Sequence, residues 1–169
     1  MVNKKKNLLQ VWTKLTLLLI VIMYGWLLIH ETSHATICVM EGFDVKIAQI
    51  FPNVAVNCEG IVQDGQLMMS NWQYFILAMA PYILTMILSI LLFAFRTHLP
   101  PKISLIAAIT FLTDTAYNFF TTTIYHTDFY NLAIVNKTLF TIATLIVIII
   151  ITLNTLTIKQ KIQEIKQEK

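Results

Sequence analysis

Charged and chain-breaking residues are scarce in this sequence. Only 12% of its 169 residues are charged, and it contains four glycines, four prolines and two cysteines. The shortage of charge excludes an ordinary soluble domain and a nucleic-acid-binding surface, and the shortage of glycine and proline argues against a fibrous or disordered chain. Two cysteines, Cys38 and Cys58, are too few for a disulfide framework, and the sequence leaves open whether they pair.

Apolar residues make up 57% of the chain, and they gather in four runs long enough to cross about 30 Å of hydrocarbon as helices. The expected helices cover residues 15–40, 72–95, 103–125 and 138–158. Each should be helical, because a lone strand in lipid leaves backbone groups without partners. We therefore predict an all-α membrane protein with about four transmembrane helices, a single membrane domain over residues 1–158 and a cytoplasmic tail over residues 159–169.

The segment from Glu41 to Asn71 is the one sizeable polar stretch between expected helices. Apolar residues alternate with polar ones in it, as they do in a half-buried strand, at Phe43, Val45 and Ile47 and again at Val54 and Val56. Asp64-Gly65 is typical of a turn. This pattern predicts a small strand pair between the first two helices, with an irregular loop as the alternative.

Basic residues are distributed unevenly about these runs. With the N-terminus inside, ten of the twelve Lys and Arg residues fall on the cytoplasmic side, and only Lys46 and Lys137 fall outside. Since a cytoplasmic excess of Lys and Arg sets the orientation of membrane proteins, both termini are expected in the cytoplasm. The basic start, Lys4 to Lys6, resembles a signal peptide, but no small-residue cleavage site follows, so we interpret the first run as a retained helix.

Residues His30-Glu31-Thr32-Ser33-His34 lie in the outer half of the first run and read HExxH. A chain of this composition would show the pattern about 0.003 times by chance. On a helix the two histidines face the same side, one turn apart, and can bind one Zn²⁺. Glu31 is then placed as the general base that takes a proton from water activated by the metal. One zinc ion per chain is expected, on the extracytoplasmic side.

A catalytic zinc ion usually has a third protein ligand, and two aspartates compete for this position. Asp114 is the only acidic residue inside the third run, and it lies at about the same depth as His30 and His34. Asp128 follows that run and could instead cap a short helix. We expect Asp114 to be the ligand and keep Asp128 as the alternative. Asn118, one turn from Asp114, is expected to bind a ligand residue or a substrate carbonyl.

The HExxH motif in a first membrane helix, the strand-like segment after it, Ala80-Pro81 in the second helix and an Asp in the third together resemble the site-2 protease family of intramembrane zinc metallopeptidases. The similarity covers roughly residues 15–131, and it departs from the family where Ala80 replaces a glycine. It implies intramembrane proteolysis, which means hydrolysis of a peptide bond in a membrane-associated substrate.

The expected function is therefore that of a small, membrane-embedded zinc endopeptidase. Its expected partners are the lipid bilayer and a membrane protein or membrane peptide as substrate, with no nucleic acid. Two alternatives stand beside it. One is a zinc hydrolase that acts on a lipid-like substrate, and the other is a non-catalytic membrane binding or immunity protein that keeps the fold.

Overall fold

The computed structural model describes residues 2–49, 55–63, 66–125 and 128–167. These residues form helices and short strands in the order α1 Val2–Met40, β1 Asp44–Gln49, β2 Ala55–Glu59, β3 Val62–Gln63, β4 Gln66–Leu67, α2 Asn71–Ala94, α3 Pro101–Phe120, α4 Thr122–Tyr125, α5 Asp128–Val135 and α6 Lys137–Gln167. Four of the helices are long and apolar enough to cross a membrane. The predicted helical class, with a small sheet after the first helix, is confirmed at this level.

The boundaries of α2 follow from local chemistry. Ser70 accepts a hydrogen bond from the backbone N–H of Gln73, and the Gln73 side chain accepts one from the backbone N–H of Ser70. This reciprocal pair satisfies two donors that a helix start leaves without partners. The observed helix, Asn71–Ala94, differs by one residue at each end from the predicted 72–95.

The predicted third helix, residues 103–125, is too long, because α3 ends at Phe120 and α4 is a separate turn. Both the backbone N–H and the hydroxyl of Thr121 donate to the carbonyl of Tyr117. The Thr121 hydroxyl thus shares one carbonyl with the backbone N–H at the end of α3. The chain then turns into α5, which brings Asp128 back towards α1 and α2.

The fourth helix is longer than the predicted 138–158. It begins after Asn136, whose side-chain oxygen accepts from the backbone N–H groups of Thr138 and Leu139. It continues to Gln167 through most of the segment that we expected to be a tail. That the tail lies in the cytoplasm stays a prediction.

The predicted strand pair is confirmed. β1 and β2 run antiparallel, with Asp44 opposite Glu59 and Ile47 opposite Val56. Gly60, the residue after β2, has a φ of 80°, a conformation that side-chain-bearing residues rarely adopt. Val54 and the predicted Asp64-Gly65 turn lie outside the described residues.

A disulfide joins Cys38, near the end of α1, to Cys58 on β2. Cys38 is buried and packs with Met69 and Leu77 beneath the small sheet. The pairing that the sequence left open is therefore present in the structure. It fastens the sheet to the end of α1, next to the start of α2.

The main hydrophobic core lies between α2, α5 and α6. Its buried members are Phe75, Met79 and Tyr82 from α2, Phe129 and Leu132 from α5, and Leu139, Ala143, Val147 and Ile150 from α6. α3 packs along α6, whereas α1 contacts α2, α3 and the sheet. This leaves α1 at one side of the helices, where its inner face meets α2 and α3.

The inner face of α1 is a single stripe. Trp26, His30 and Cys38 are its buried residues, and half-buried His34 fills the remaining place in a four-residue spacing. Residues four apart lie one above another on a helix. The same stripe therefore carries both the packing contacts of α1 and the two histidines.

Candidate metal centre

The two histidines of the HExxH motif lie next to each other on the inner face of α1, and their ring centres are 5.2 Å apart. His30 is 5% exposed. The predicted helix and the predicted shared face of the two residues are both present. What each ring nitrogen contacts then determines which nitrogen is available to a metal.

The Nδ1 atom of His30 is held by Asp114 on α3. Asp114 Oδ2 lies 3.0 Å from Nδ1 and also accepts a hydrogen bond of 3.0 Å from Trp26 Nε1. Asn118 donates to the other carboxylate oxygen, Oδ1, at 3.1 Å. A carboxylate in this position favours the tautomer with a proton on Nδ1, which leaves the lone pair of Nε2 for a metal.

The Nδ1 atom of His34 is held by a backbone carbonyl, that of Leu77 on α2, at 2.8 Å. This carbonyl lacks its usual helical partner, because the residue four positions later is Pro81, which has no N–H. The interior proline thus provides the acceptor that orients His34. The Nε2 atom of His34 is then also presented with its lone pair.

Asp128, the first residue of α5, completes the group. Its Oδ2 lies 3.4 Å from Nε2 of His34 and 3.8 Å from Nε2 of His30. Both separations exceed the 2.7–2.9 Å or so of a charge-assisted hydrogen bond. They are close to the roughly 3.3 Å that separates two ligands in a tetrahedral site with bonds of 2.0–2.1 Å. His30, His34 and Asp128 together form a group that could hold a metal ion.

Asp128 and Asp114, the two candidates for the third ligand, meet different nitrogens of His30: Asp128 faces Nε2 and Asp114 faces Nδ1. The structure therefore brings the alternative ligand of the sequence analysis to the two Nε2 atoms. Asp114, which the sequence favoured, lies on the opposite side of the His30 ring.

Donor chemistry gives a test of which metal would fit this group. Two imidazoles and one carboxylate are a common zinc ligand set, whereas Ca²⁺ and Mg²⁺ prefer sites made of oxygen atoms. Both imidazoles have their Nδ1 atoms engaged with acceptors, which is the usual state of metal-binding histidines. The residues present fit zinc.

Glu31 lines a cavity beside this group. The cavity measures about 880 Å³ and is bounded by α1, α2, α5 and the β2 strand, with Glu31, His34, Asn118 and Asp128 among its lining residues. Glu31 Oε2 accepts a hydrogen bond of 3.0 Å from the backbone N–H of Val56. The predicted base and the predicted polar neighbour Asn118 thus share one cavity with two of the candidate ligands, His34 and Asp128.

Four residues of this site were not anticipated. Three of them, Trp26, Leu77 and Tyr82, form a hydrogen bond with a predicted site residue. The fourth, Pro81, frees the Leu77 carbonyl that His34 contacts. One of them carried a signal in the sequence, because a proline inside a helix always frees the carbonyl four residues earlier. The other three depend on the packing of separate helices and had no local signal.

Comparison of this chain with protein-family models, with curated proteins and with solved structures finds no match. The site is therefore interpreted from its own geometry.

Proposed function

We propose that this chain is a membrane-embedded zinc endopeptidase in which His30, His34 and Asp128 hold the ion. The observation that carries the proposal is the convergence of three ligand atoms on one point, while both histidines are fixed through their other ring nitrogen. Buried ionisable groups in apolar helices are costly, which favours a functional reason for their presence.

When bound, zinc would supply Lewis acidity, which activates water and polarises a carbonyl. The chain's own residues supply the rest. Glu31, which lines the cavity, accepts the proton from water, and the Val56 N–H holds its Oε2 in place. Asn118 lines the same cavity, and its amide donates to Oδ1 of Asp114, so its role is to hold the carboxylate that supports His30.

The shape of the cavity favours a peptide as substrate. β2 pairs with β1 along one edge only, and the Val56 N–H points away from β1 towards Glu31. In an antiparallel pair the backbone groups alternate between the two edges, so those of Cys58 are expected on the same side, whereas the Val56 N–H is already bound to Glu31. We infer that an extended peptide pairs with the backbone groups left on this edge and presents its carbonyl beside Glu31. A lipid substrate would make no such backbone pairing.

We place the centre on the extracytoplasmic side of the membrane. The distribution of Lys and Arg supports cytoplasmic termini. The Cys38–Cys58 disulfide, a few residues from the histidines, is supporting evidence, since such bonds persist in oxidising compartments. An expected consequence is that an alkylating reagent confined to the outside labels the two cysteines only after reduction.

The test is Glu31→Gln in the full-length protein, purified in detergent and assayed on membrane peptides. Zinc content should stay at one ion per chain, because Glu31 is not a ligand. Peptide cleavage should fall by about 10²–10⁴-fold, which is the usual contribution of a general base.

Glu41→Gln is the matched control, since Glu41 accepts a hydrogen bond from Gln73 outside the cavity. Cleavage that persists in Glu31→Gln would overturn the proposal, and zinc binding without cleavage in the wild type would favour a binding protein.

A further inference from the structure

Tyr82 on α2 is completely buried beside the metal centre. Its exposure is 0%, and its ring lies edge-on to the His30 ring, with centres 5.4 Å apart. On its other side it packs against Phe129, the residue after Asp128, at 4.7 Å. Nothing in the zinc ligand set or in the peptidase mechanism requires a tyrosine here, so its role needs a separate account.

The Tyr82 hydroxyl donates a hydrogen bond of 2.9 Å to Oδ2 of Asp128. This is the oxygen that faces Nε2 of both histidines. The bond therefore fixes the ligand atom itself. A phenol is suited to this task because it keeps its proton near neutral pH and adds no charge that would compete with a metal cation.

Asp128 needs such support because of its place in the chain. The other two ligands belong to a 39-residue helix, α1, which continues beyond both of them, whereas Asp128 is the first residue of the eight-residue helix α5. Short helices are marginal by themselves and depend on packing. Phe129 packs α5 against Tyr82 and Phe119, and the Tyr82 hydroxyl adds a directional contact to the carboxylate.

We infer that Tyr82 is a positioning residue for the metal: its hydroxyl holds Asp128 Oδ2 in place to complete the site that His30 and His34 begin. The inference rests on the proposed zinc site and adds a residue to it. Because supporting partners of metal ligands typically contribute about 10–100-fold to affinity, the loss of this one hydroxyl should weaken zinc binding by that factor.

The test is the zinc dissociation constant of Tyr82→Phe, measured by competition with a chromogenic chelator on the full-length protein in detergent. The matched control is Tyr117→Phe, since Tyr117 lies on α3 with 55% of its surface exposed. We expect Tyr82→Phe to bind zinc about 10–100-fold more weakly than the wild type, and Tyr117→Phe to bind it as the wild type does. Equal affinity of Tyr82→Phe and the wild type would overturn the inference and leave the zinc site intact.

A double-mutant cycle with Asp128→Asn separates positioning from general packing. If Tyr82 acts through Asp128, Tyr82→Phe should have little further effect on affinity in the Asp128→Asn background. The visible absorption of the Co²⁺-loaded protein gives a second readout, because it reports the coordination geometry, and Tyr82→Phe should change it. An additive cycle together with an unchanged spectrum would assign Tyr82 to packing alone.

If Tyr82→Phe does not fold, Tyr82→Gln and Tyr82→Leu replace it, because the two side chains are similar in size and only Gln can donate. Gln should then bind zinc more tightly than Leu, and equal binding would overturn the inference. A wild-type protein that binds no zinc would overturn the proposed function and this inference together.

Discussion

Two buried ionic clusters lie at opposite ends of α2, and they differ in what their polar atoms do. Near the C-terminal end, Lys161 is 1% exposed, and its ammonium donates to the carbonyls of Arg96 and Leu99 and to Glu164. Three donors thus meet three acceptors. Near the N-terminal end, the Nε2 atoms of His30 and His34 face Asp128 at separations too long for charged hydrogen bonds.

The comparison shows that burial of charge is not by itself the mark of a functional site. In the Lys161 cluster the ammonium of α6 binds acceptors of the cluster itself and holds α6 against the loop after α2. The histidine cluster uses one nitrogen of each ring for support and directs the other towards Asp128, which lines a cavity together with His34. This difference supports a structural role for the first cluster and the proposed metal-binding role for the second.

The largest expected effect comes from removing one of the proposed metal ligands. His34→Ala should lose zinc almost completely, a larger effect than the 10–100-fold or so that a supporting residue contributes. Elemental analysis of the purified proteins measures it, with Lys161→Met as the control that should keep one zinc per chain. Zinc retained at full occupancy in His34→Ala would contradict the assignment.

The second prediction concerns the stability of the other cluster. Lys161→Met should lower the free energy of unfolding by about 1–3 kcal/mol, because the carbonyls of Arg96 and Leu99 lose the donor that the buried ammonium supplies. Denaturation in mixed detergent monitored by helicity measures the effect. Lys159→Met, which removes a neighbouring lysine of α6, is the matched control and should change little. If the two variants were equally stable, the Lys161 cluster would have no structural role.

The third prediction separates the two aspartates. Asp114→Asn should weaken zinc binding by about 10–100-fold, because it removes the charged acceptor behind His30, while Asp128→Asn should weaken it further. Chelator competition on both variants gives the order. The reverse order would mean that Asp114 is the ligand, as the sequence suggested, and that Asp128 supports it.

The smallest expected effect belongs to Pro81→Ala. The new N–H would compete with His34 for the Leu77 carbonyl, and zinc affinity should fall by roughly threefold, which is less than for a charged partner. Pro101→Ala is the control, since a proline at the first position of α3 removes no helical hydrogen bond. An identical response in the two variants would show that the freed carbonyl does not matter to His34.

Much of the fold could be predicted because its signals are local. Long apolar runs mark the helices, and alternation marks the strand pair. The HExxH spacing placed two histidines on one face, and counting residues placed Asp114 at the depth of His30, where it does lie. The matching depth in the membrane could not predict which ring nitrogen of His30 Asp114 would contact.

The third ligand was harder to predict for a physical reason. The sequence suggested a continuous helix to Tyr125, which would carry Asp128 away from the histidines. The break at Thr121 and the short helix α5 return it, and that return depends on the packing of Phe129 against Tyr82 and Phe119. Contacts between separate helices leave no pattern in a single sequence.

X-ray absorption at the zinc edge of the purified full-length protein tests the central claim most directly. The account predicts one zinc ion per chain with two imidazole nitrogens and at least one carboxylate oxygen at about 2.0–2.2 Å, and a weaker imidazole signal in His34→Ala. A folded, active protein without bound metal, or with a metal whose ligands include no imidazole, would contradict it.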